Sequence, residues 1–169
     1  MPLLKDGKLV DDGWLQLDDD AVLPEAGAVV VSLARWQQDR DHLIARTGPV
    51  GVRLTADQTP GLIRADLDEL ALVALEFPAF TNGRAYSYAR LLHRYGFAGE
   101  IRAVGNVLRD QYWNMQRCGF NALEIEAGET EADWVATVTH YSAPYQVAHD
   151  PALPVMSLRE RRMAAAAQG

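Results

Sequence analysis

The stretch ALVALEFPAFTNGRAYSYARLL, residues 71–92, contains a complete strand–turn–helix unit. Its first seven residues are apolar except for Glu76, as expected of a strand that is covered on both faces. Pro78 ends the strand, because proline has no backbone N–H to donate to a neighbouring strand. The polar turn TNGR (81–84) then precedes a helix that we predict at 83–95.

The same alternation of strand-like and helix-like segments continues on both sides of this unit. It predicts an α/β domain with a mostly parallel sheet. We favour an open, doubly wound sheet, and a partial β/α barrel is the alternative, because consecutive short βα units also build barrels. The predicted strands are 27–33, 50–54, 71–77, 100–104 and 122–126, and the predicted helices are 35–46, 62–70, 83–95, 107–118 and 131–141.

Two Asp-Gly pairs near the N-terminus, Asp6-Gly7 and Asp12-Gly13, separate short apolar stretches and predict a small β-hairpin or a pair of edge strands. The chain of 169 residues is expected to form one domain. We divide it into an N-terminal hairpin and connector over 1–26, an α/β core over 27–146 and an extended C-terminal tail over 147–169.

Composition and charge exclude several classes of function. The net charge of −7 argues against sequence-independent binding to nucleic acid, which depends on lysine and arginine. No apolar run approaches the roughly 20 residues of a membrane span, and the charged N-terminus does not resemble a signal peptide, so a cytoplasmic protein is expected. The single cysteine, Cys118, and four histidines without ligand spacing predict no metal site. No dinucleotide, phosphate-loop or haem motif is present, so no cofactor is predicted.

Two turns are candidates for a small-anion site. The TNGR turn (81–84) and the GNVLR turn (105–109) follow consecutive strands at their C-terminal ends, where parallel sheets bind ligands. Free backbone N–H groups at a helix start and a nearby arginine favour an anion. The alternative is that Thr81 or Asn82, and Asn106, only cap helices. The predicted anion-binding residues are Thr81, Asn82, Gly83, Arg84, Gly105, Asn106 and Arg109.

Four charged residues, Arg53, Glu76, Arg102 and Glu124, interrupt otherwise apolar strands. Because burying an unpaired charge is costly, one interpretation is two cross-strand ion pairs, Arg53 with Glu76 and Arg102 with Glu124. The functional interpretation is a pocket with Arg53, Arg102 and Glu124 in its floor. In that case Glu76 or Asp110 is the candidate catalytic acid or base.

Three blocks of the sequence resemble an uncharacterised bacterial family: 75–92, 99–111 and RCGFNALEI (117–125). The resemblance covers roughly 50–146, and the family is labelled an oxidoreductase involved in sulfite reduction. Members of this family look to be encoded beside the sulfite reductase haemoprotein. The resemblance therefore implies that haemoprotein as a partner. The family usually has aspartate where this chain has Asn82 and Asn106. Both asparagines can still cap a helix, but neither can act as a base.

Three hypotheses of function follow, and whether the protein is an enzyme is left open. The first is an accessory or electron-transfer partner in assimilatory sulfite reduction. The second is a small-molecule enzyme whose anionic substrate is held by Arg84 and Arg109, with Glu76 or Asp110 in proton transfer. The third is a structural or homo-oligomerisation domain without a ligand.

Overall fold

The computed structural model describes residues 2–139, 157–159 and 162–163. Most of the tail predicted over 147–169 therefore lies outside the described residues, as do the last two residues of the helix predicted at 131–141. The strands are β1 Leu3–Lys5, β2 Lys8–Val10, β3 Trp14–Gln16, β4 Ala28–Ser32, β5 Val50–Leu54, β6 Leu72–Phe77, β7 Glu100–Gly105 and β8 Ala122–Glu124. The helices are α1 Leu33–Ala45, α2 Arg84–Arg94, α3 Tyr112–Cys118 and α4 Glu131–Thr139, with 3-10 helices at Pro60–Glu69 and Arg109–Gln111.

The eight strands of the described residues form one sheet, in the order β2-β1-β8-β7-β6-β5-β4-β3. The strands from β3 to β8 run parallel in sequence order, which confirms the mostly parallel sheet. The predicted N-terminal hairpin is confirmed as β1 and β2, joined by Asp6 and Gly7 with φ of 49° and 80°. Strand β1 also pairs with β8, so the hairpin extends the sheet of the core.

The sheet is strongly curled, because its two edge strands are joined by a very short connection. In a flat sheet, seven spacings of about 4.8 Å would separate β2 from β3 by about 34 Å. Only residues 11–13 connect these strands, and four Cα–Cα steps reach at most about 14 Å. A hydrogen bond of 3.1 Å from Gln16 Nε2 in β3 to Glu124 Oε1 in β8 crosses the inside of the curl. The result is a half-barrel.

The strand order corrects the architecture that we favoured. A doubly wound sheet needs a point at which the strand order reverses, so that helices cover both faces. Here the parallel strands follow one another without reversal, and right-handed crossovers place successive helices on the same face. The partial barrel, which was the alternative, is therefore the fold that forms.

The two faces of the curled sheet have different compositions. The outer face packs its apolar side chains, such as Val52 and Leu75, against the helices in one large core. The inner face has only a small apolar cluster around Leu72, Ala74 and Val104. Because side chains alternate along a strand, every charged strand residue singled out from the sequence lies on this inner face.

Two predicted helices differ in detail from the structure. The helix predicted at 62–70 is the 3-10 helix Pro60–Glu69. The helix predicted at 107–118 begins as the 3-10 helix Arg109–Gln111 and becomes α-helical only at Tyr112. Asn106 therefore does not occupy the N-cap position, which was one of its two interpretations.

Candidate functional site

The four charged strand residues form the two ion pairs that the sequence predicts. Arg53 Nη2 lies 3.4 Å from Glu76 Oε2, and Arg102 Nη1 lies 3.7 Å from Glu124 Oε1. The residues come from β5, β6, β7 and β8, which are consecutive neighbours in the sheet. The inner face is thus charged along its length, but its two arginines have very different surroundings.

Arg102 is fully buried, and all three of its guanidinium nitrogens are bonded to carboxylates. It donates two hydrogen bonds to Asp12, of 2.8 and 3.1 Å, and one of 2.8 Å from Nε to Glu100. Lys5 contacts the other oxygen of Glu100 at 2.8 Å. Burial lowers the pKa of Arg102, but the carboxylates of Asp12 and Glu100 outweigh burial and the pKa is raised overall. With its donors satisfied inside the protein, Arg102 has a structural role.

Arg53 is less buried and less completely bonded. Its side chain is 38% exposed, and Glu76 is its single ion-pair partner among the described residues. Its strand neighbours in register are small, Ser32 on one side and Ala74 on the other. A cavity of about 280 Å³ opens beside it at the C-terminal mouth of the half-barrel, lined by Gln16, Leu17, Asp18, Asp19, Val30, Val31, Ser32 and Arg53. Of the predicted pocket-floor residues, Arg53 is the one that lines this cavity.

The TNGR turn is exposed and leads directly into α2. The N-cap position is Gly83, and Asn82 Oδ1 accepts a hydrogen bond of 3.2 Å from the backbone N–H of Arg84. Asn82, which precedes the N-cap residue, thus satisfies the first backbone N–H of the helix. The hydroxyl of Thr55 lowers the pKa of Asp57, and the positive charge of Arg84 contributes to the same shift.

The GNVLR turn and the residues after it lie against residues 77–80, which lead into the TNGR turn. The backbone N–H of Asn106 donates a 2.7 Å hydrogen bond to Phe77 O, and Gln111 Nε2 donates one of 3.2 Å to Phe80 O. Arg109 lies 3.6 Å from Asp133 of α4. The hydroxyl and backbone N–H of Thr130 lower the pKa of Asp133, with a further contribution from the charge of Arg109. The two predicted anion-binding turns therefore form one surface, on which each arginine has an acidic neighbour.

This surface also exposes two large apolar side chains. Phe80 is 60% exposed and Leu108 is 36% exposed. The backbone N–H of Gln111 binds Leu108 O while its side chain binds Phe80 O, so one residue ties both segments together. Exposed apolar side chains that cluster, rather than occur singly, are typical of interaction sites.

The two candidate catalytic residues lie in different settings. Glu76 is on the inner face, paired with Arg53. Asp110 is exposed in the 3-10 helix and lies close enough to Tyr86 to influence its ionisation. Burial raises the pKa of Tyr86 to about 12, with smaller contributions from Cys118 and Asp110. Burial thus keeps the Tyr86 hydroxyl protonated, and able to donate a hydrogen bond, to a higher pH than an ordinary tyrosine.

Several residues of the inner face escaped the sequence analysis. Glu100 could have been found, because it precedes Arg102 by two positions in one strand and so must share its face. Asp12, Gln16 and Asp19 carry no such signal, since only the curl of the sheet brings them to the inner face. Ser32 ends β4 and caps α1 by accepting a 3.0 Å hydrogen bond from Arg35 N.

The described residues contain neither a membrane-spanning helix nor a cluster of metal ligands. No helix in the described part of the chain is long and apolar enough to cross a membrane. Within residues 2–139, 157–159 and 162–163, no three histidine, cysteine, aspartate or glutamate side chains are grouped so that they could hold a metal ion.

The sequence matches a family model described as "Bacterial protein of unknown function (DUF934)" over residues 51–156, more than half of the chain. The match includes Arg53, Glu76, Arg102 and Glu124 as well as both exposed turns. It leaves out residues 1–50, which contain β1 to β4, Asp12 and most of the cavity wall. Among curated proteins, none matches the chain.

Proposed function

Because this chain belongs to a bacterial family of unknown function (DUF934), we propose a function from its sequence resemblance and its exposed residues: an accessory protein of assimilatory sulfite reduction that docks on the sulfite reductase haemoprotein. The proposed docking surface consists of residues 78–84 and 105–111. An electron-transfer role would use the same surface, since a partner must approach closely for electrons to pass.

One observation carries this proposal. Two of the sequence blocks through which the chain resembles the sulfite-reduction family, 75–92 and 99–111, contain the docking surface. They expose Phe80 and Leu108 there. The strands of these blocks, β6 and β7, are almost wholly buried, so a partner would reach the blocks at the exposed turns and at the exposed face of α2.

The composition of the docking surface suits a protein partner. Protein interfaces typically have an apolar centre, often aromatic, within a polar rim that contains arginine. Phe80 and Leu108 supply the apolar centre, and Arg84 and Arg109 supply the rim. Docking should therefore weaken moderately as salt is added, because rim charges contribute mainly to the association rate.

A binding assay with the sulfite reductase of the same bacterium tests the proposal. The purified haemoprotein is immobilised, and the affinity of this chain is measured by biolayer interferometry. We expect Phe80→Asp and Leu108→Asp each to weaken binding by about tenfold or more, since a central interface residue contributes at least about 1.4 kcal/mol.

Matched controls place the same new charge on exposed apolar residues elsewhere. Val22 is 91% exposed and Leu62 is 53% exposed, and neither lies in the docking surface. Val22→Asp and Leu62→Asp should leave the affinity within about twofold, because surface substitutions away from an interface are nearly neutral. Absence of binding by the wild-type chain would overturn the accessory function. Binding that all four variants weaken equally would overturn the assigned surface.

The second hypothesis from the sequence, an enzyme whose substrate is held by Arg84 and Arg109, stays a prediction. Its support is the proximity of the two turns. Arg109 would have to exchange its contact with Asp133 for the substrate anion, and Arg84 would have to bind the anion near the negative charge of Asp57. Sulfite binding measured by calorimetry on wild type and on Arg84→Gln would separate this hypothesis from protein docking.

A further inference from the structure

We propose that the cavity at the mouth of the half-barrel binds a small zwitterion, a molecule of amino-acid size with one carboxylate and one ammonium group. The carboxylate would bind Arg53, and the ammonium would bind Asp18 and Asp19. This inference does not depend on the docking surface, which is formed by other residues.

Arg53 uses fewer of its N–H donors within the described residues than Arg102 does. The two arginines flank Ala74 in the same row of the sheet, since Ala74 pairs with Arg53 on one side and Arg102 on the other. All three nitrogens of Arg102 are bonded to carboxylates. Arg53 approaches Glu76 at 3.4 Å, from Nη2, and lines the cavity. A guanidinium has five N–H donors, and a forked pair of them matches a carboxylate.

The opposite wall of the cavity is acidic and held in place. Asp18 and Asp19 follow β3 and line the cavity. Ser32 Oγ donates a 2.6 Å hydrogen bond to Asp19 Oδ1. Arg35 binds the backbone carbonyl oxygens of Asp19 and, at 3.2 Å, Ala21. The acidic segment is therefore positioned before any ligand binds, which lowers the entropic cost of binding.

The charges around the cavity favour a zwitterion over a simple ion. Asp18 and Asp19 line the cavity together with Arg53. Beside them, Glu76 pairs with Arg53, and Arg35, which binds the backbone of the acidic segment, pairs with Asp39. A simple anion would be repelled by the acidic wall, and a simple cation would be repelled by Arg53. A ligand with both charges satisfies both ends at once.

The size and walls of the cavity limit the ligand further. Its volume of about 280 Å³ lies just below the range of roughly 300–1,000 Å³ for drug-sized ligands. Leu17 and Val30 supply apolar wall between the charged ends. The cavity thus suits an amino acid with a small or aliphatic side chain better than a nucleotide or a peptide.

Calorimetric titration of the full chain with each standard L-amino acid tests the proposal, with acetate and methylammonium as probes that carry one charge each. We expect at least one small or aliphatic amino acid to bind at least about tenfold more tightly than either single-charge probe. No binding by any amino acid would overturn the proposal. Acetate binding as tight as that of the best amino acid would do so as well, and would indicate a plain anion site.

Variants and a wild-type measurement locate the site. Arg53→Gln and Asp19→Asn should each weaken the best amino acid by about tenfold or more. The matched control Arg64→Gln removes the same charge from a guanidinium that lies 4.6 Å from the Tyr95 ring centroid, outside the cavity, and should not change affinity. In wild-type protein, the NMR signal of the Arg53 Nε–H should shift on binding while that of Arg102 stays in place. A shift of neither signal, with binding observed, would overturn the site even if the variants misfold.

Discussion

Substitution of Asp12 tests whether the buried charge network closes the half-barrel. Asp12 lies in the three-residue connection between the edge strands β2 and β3. Its carboxylate accepts hydrogen bonds of 2.8 and 3.1 Å from Arg102, whose side chain is 0% exposed. Asp12→Ala removes both bonds and leaves the guanidinium buried with Glu100 and Glu124.

The expected loss follows from these contacts. A hydrogen bond that involves a charged group contributes about 1.5–3 kcal/mol, and complete disruption of a buried ion pair costs about 3–5 kcal/mol. Asp12→Ala removes two such bonds, but the carboxylates of Glu100 and Glu124 remain beside the guanidinium. The side chain of Asp12 is 21% exposed, so water can replace part of the lost hydrogen bonding. We therefore expect the free energy of unfolding to fall by about 3 kcal/mol. For a chain of this size the melting temperature should fall by about 6–12 °C.

Asp11→Ala is the matched control, because it removes the same charge one position earlier. Asp11 is exposed and forms no ion pair with any described residue, so its replacement should change the free energy of unfolding by at most about 0.5 kcal/mol. Urea unfolding at neutral pH, followed by circular dichroism, measures both variants. Equal stability of Asp11→Ala and Asp12→Ala would refute the reasoning that the buried guanidinium needs Asp12.

Three further predictions concern backbone geometry and pH. Gly105 has a φ of 88°, and a Cβ added there would lie 2.7 Å from the backbone carbonyl oxygen of Phe77. Gly96 has a φ of 87°, but a Cβ added there would meet no atom within 4 Å. Thermal unfolding should therefore show that Gly105→Ala is clearly less stable than Gly96→Ala. Burial raises the pKa of Tyr86 from 10.0 to about 12. Between these pH values the native state therefore keeps a proton that the unfolded state releases, and stability falls as the pH rises. Urea unfolding over this range should show a larger loss of stability for wild type than for Tyr86→Phe. Burial raises the pKa of Asp66, but hydrogen bonds that include one of 2.9 Å from Arg40 outweigh burial and lower it overall. This stabilisation is present above the usual pKa of 3.8 and is lost as the pH falls through the lowered value, so urea unfolding at neutral pH and at about pH 3 should show a larger loss for wild type than for Asp66→Asn.

Much of the fold could be predicted because its signals are local. A short apolar run that ends at a proline, such as 71–77, favours a strand from local sequence alone. Asp6-Gly7 adopts the left-handed turn that joins two antiparallel strands. The pairing of Arg53 with Glu76 was also within reach, since the two lie on adjacent parallel strands in sequence order. The boundaries at 60–69 and 109–111 were harder, because 3-10 and α-helices share the same residue preferences.

The candidate site could be predicted only in part. The sequence placed the TNGR and GNVLR turns at the C-terminal ends of β6 and β7, and their proximity follows from strand adjacency. The exposure of Phe80 was not predictable, because an aromatic residue after a buried strand is more often covered than exposed. The cavity was likewise hidden, since its walls come from β3, β4 and β5 and from the loop after β3.

By itself, then, the sequence determined the βα units, the N-terminal hairpin and the alternating charges of the strands, since each depends on residues that are close in the chain or on neighbouring strands. The tertiary structure alone decided that the sheet is singly wound and curled. That curl brings Asp12 to Arg102, ninety positions away, and Gln16 to Glu124 across the inner face. The physical reason is that curvature is a property of the whole sheet: the three-residue connection forces its edges together, and the buried guanidinium is stable only where they meet.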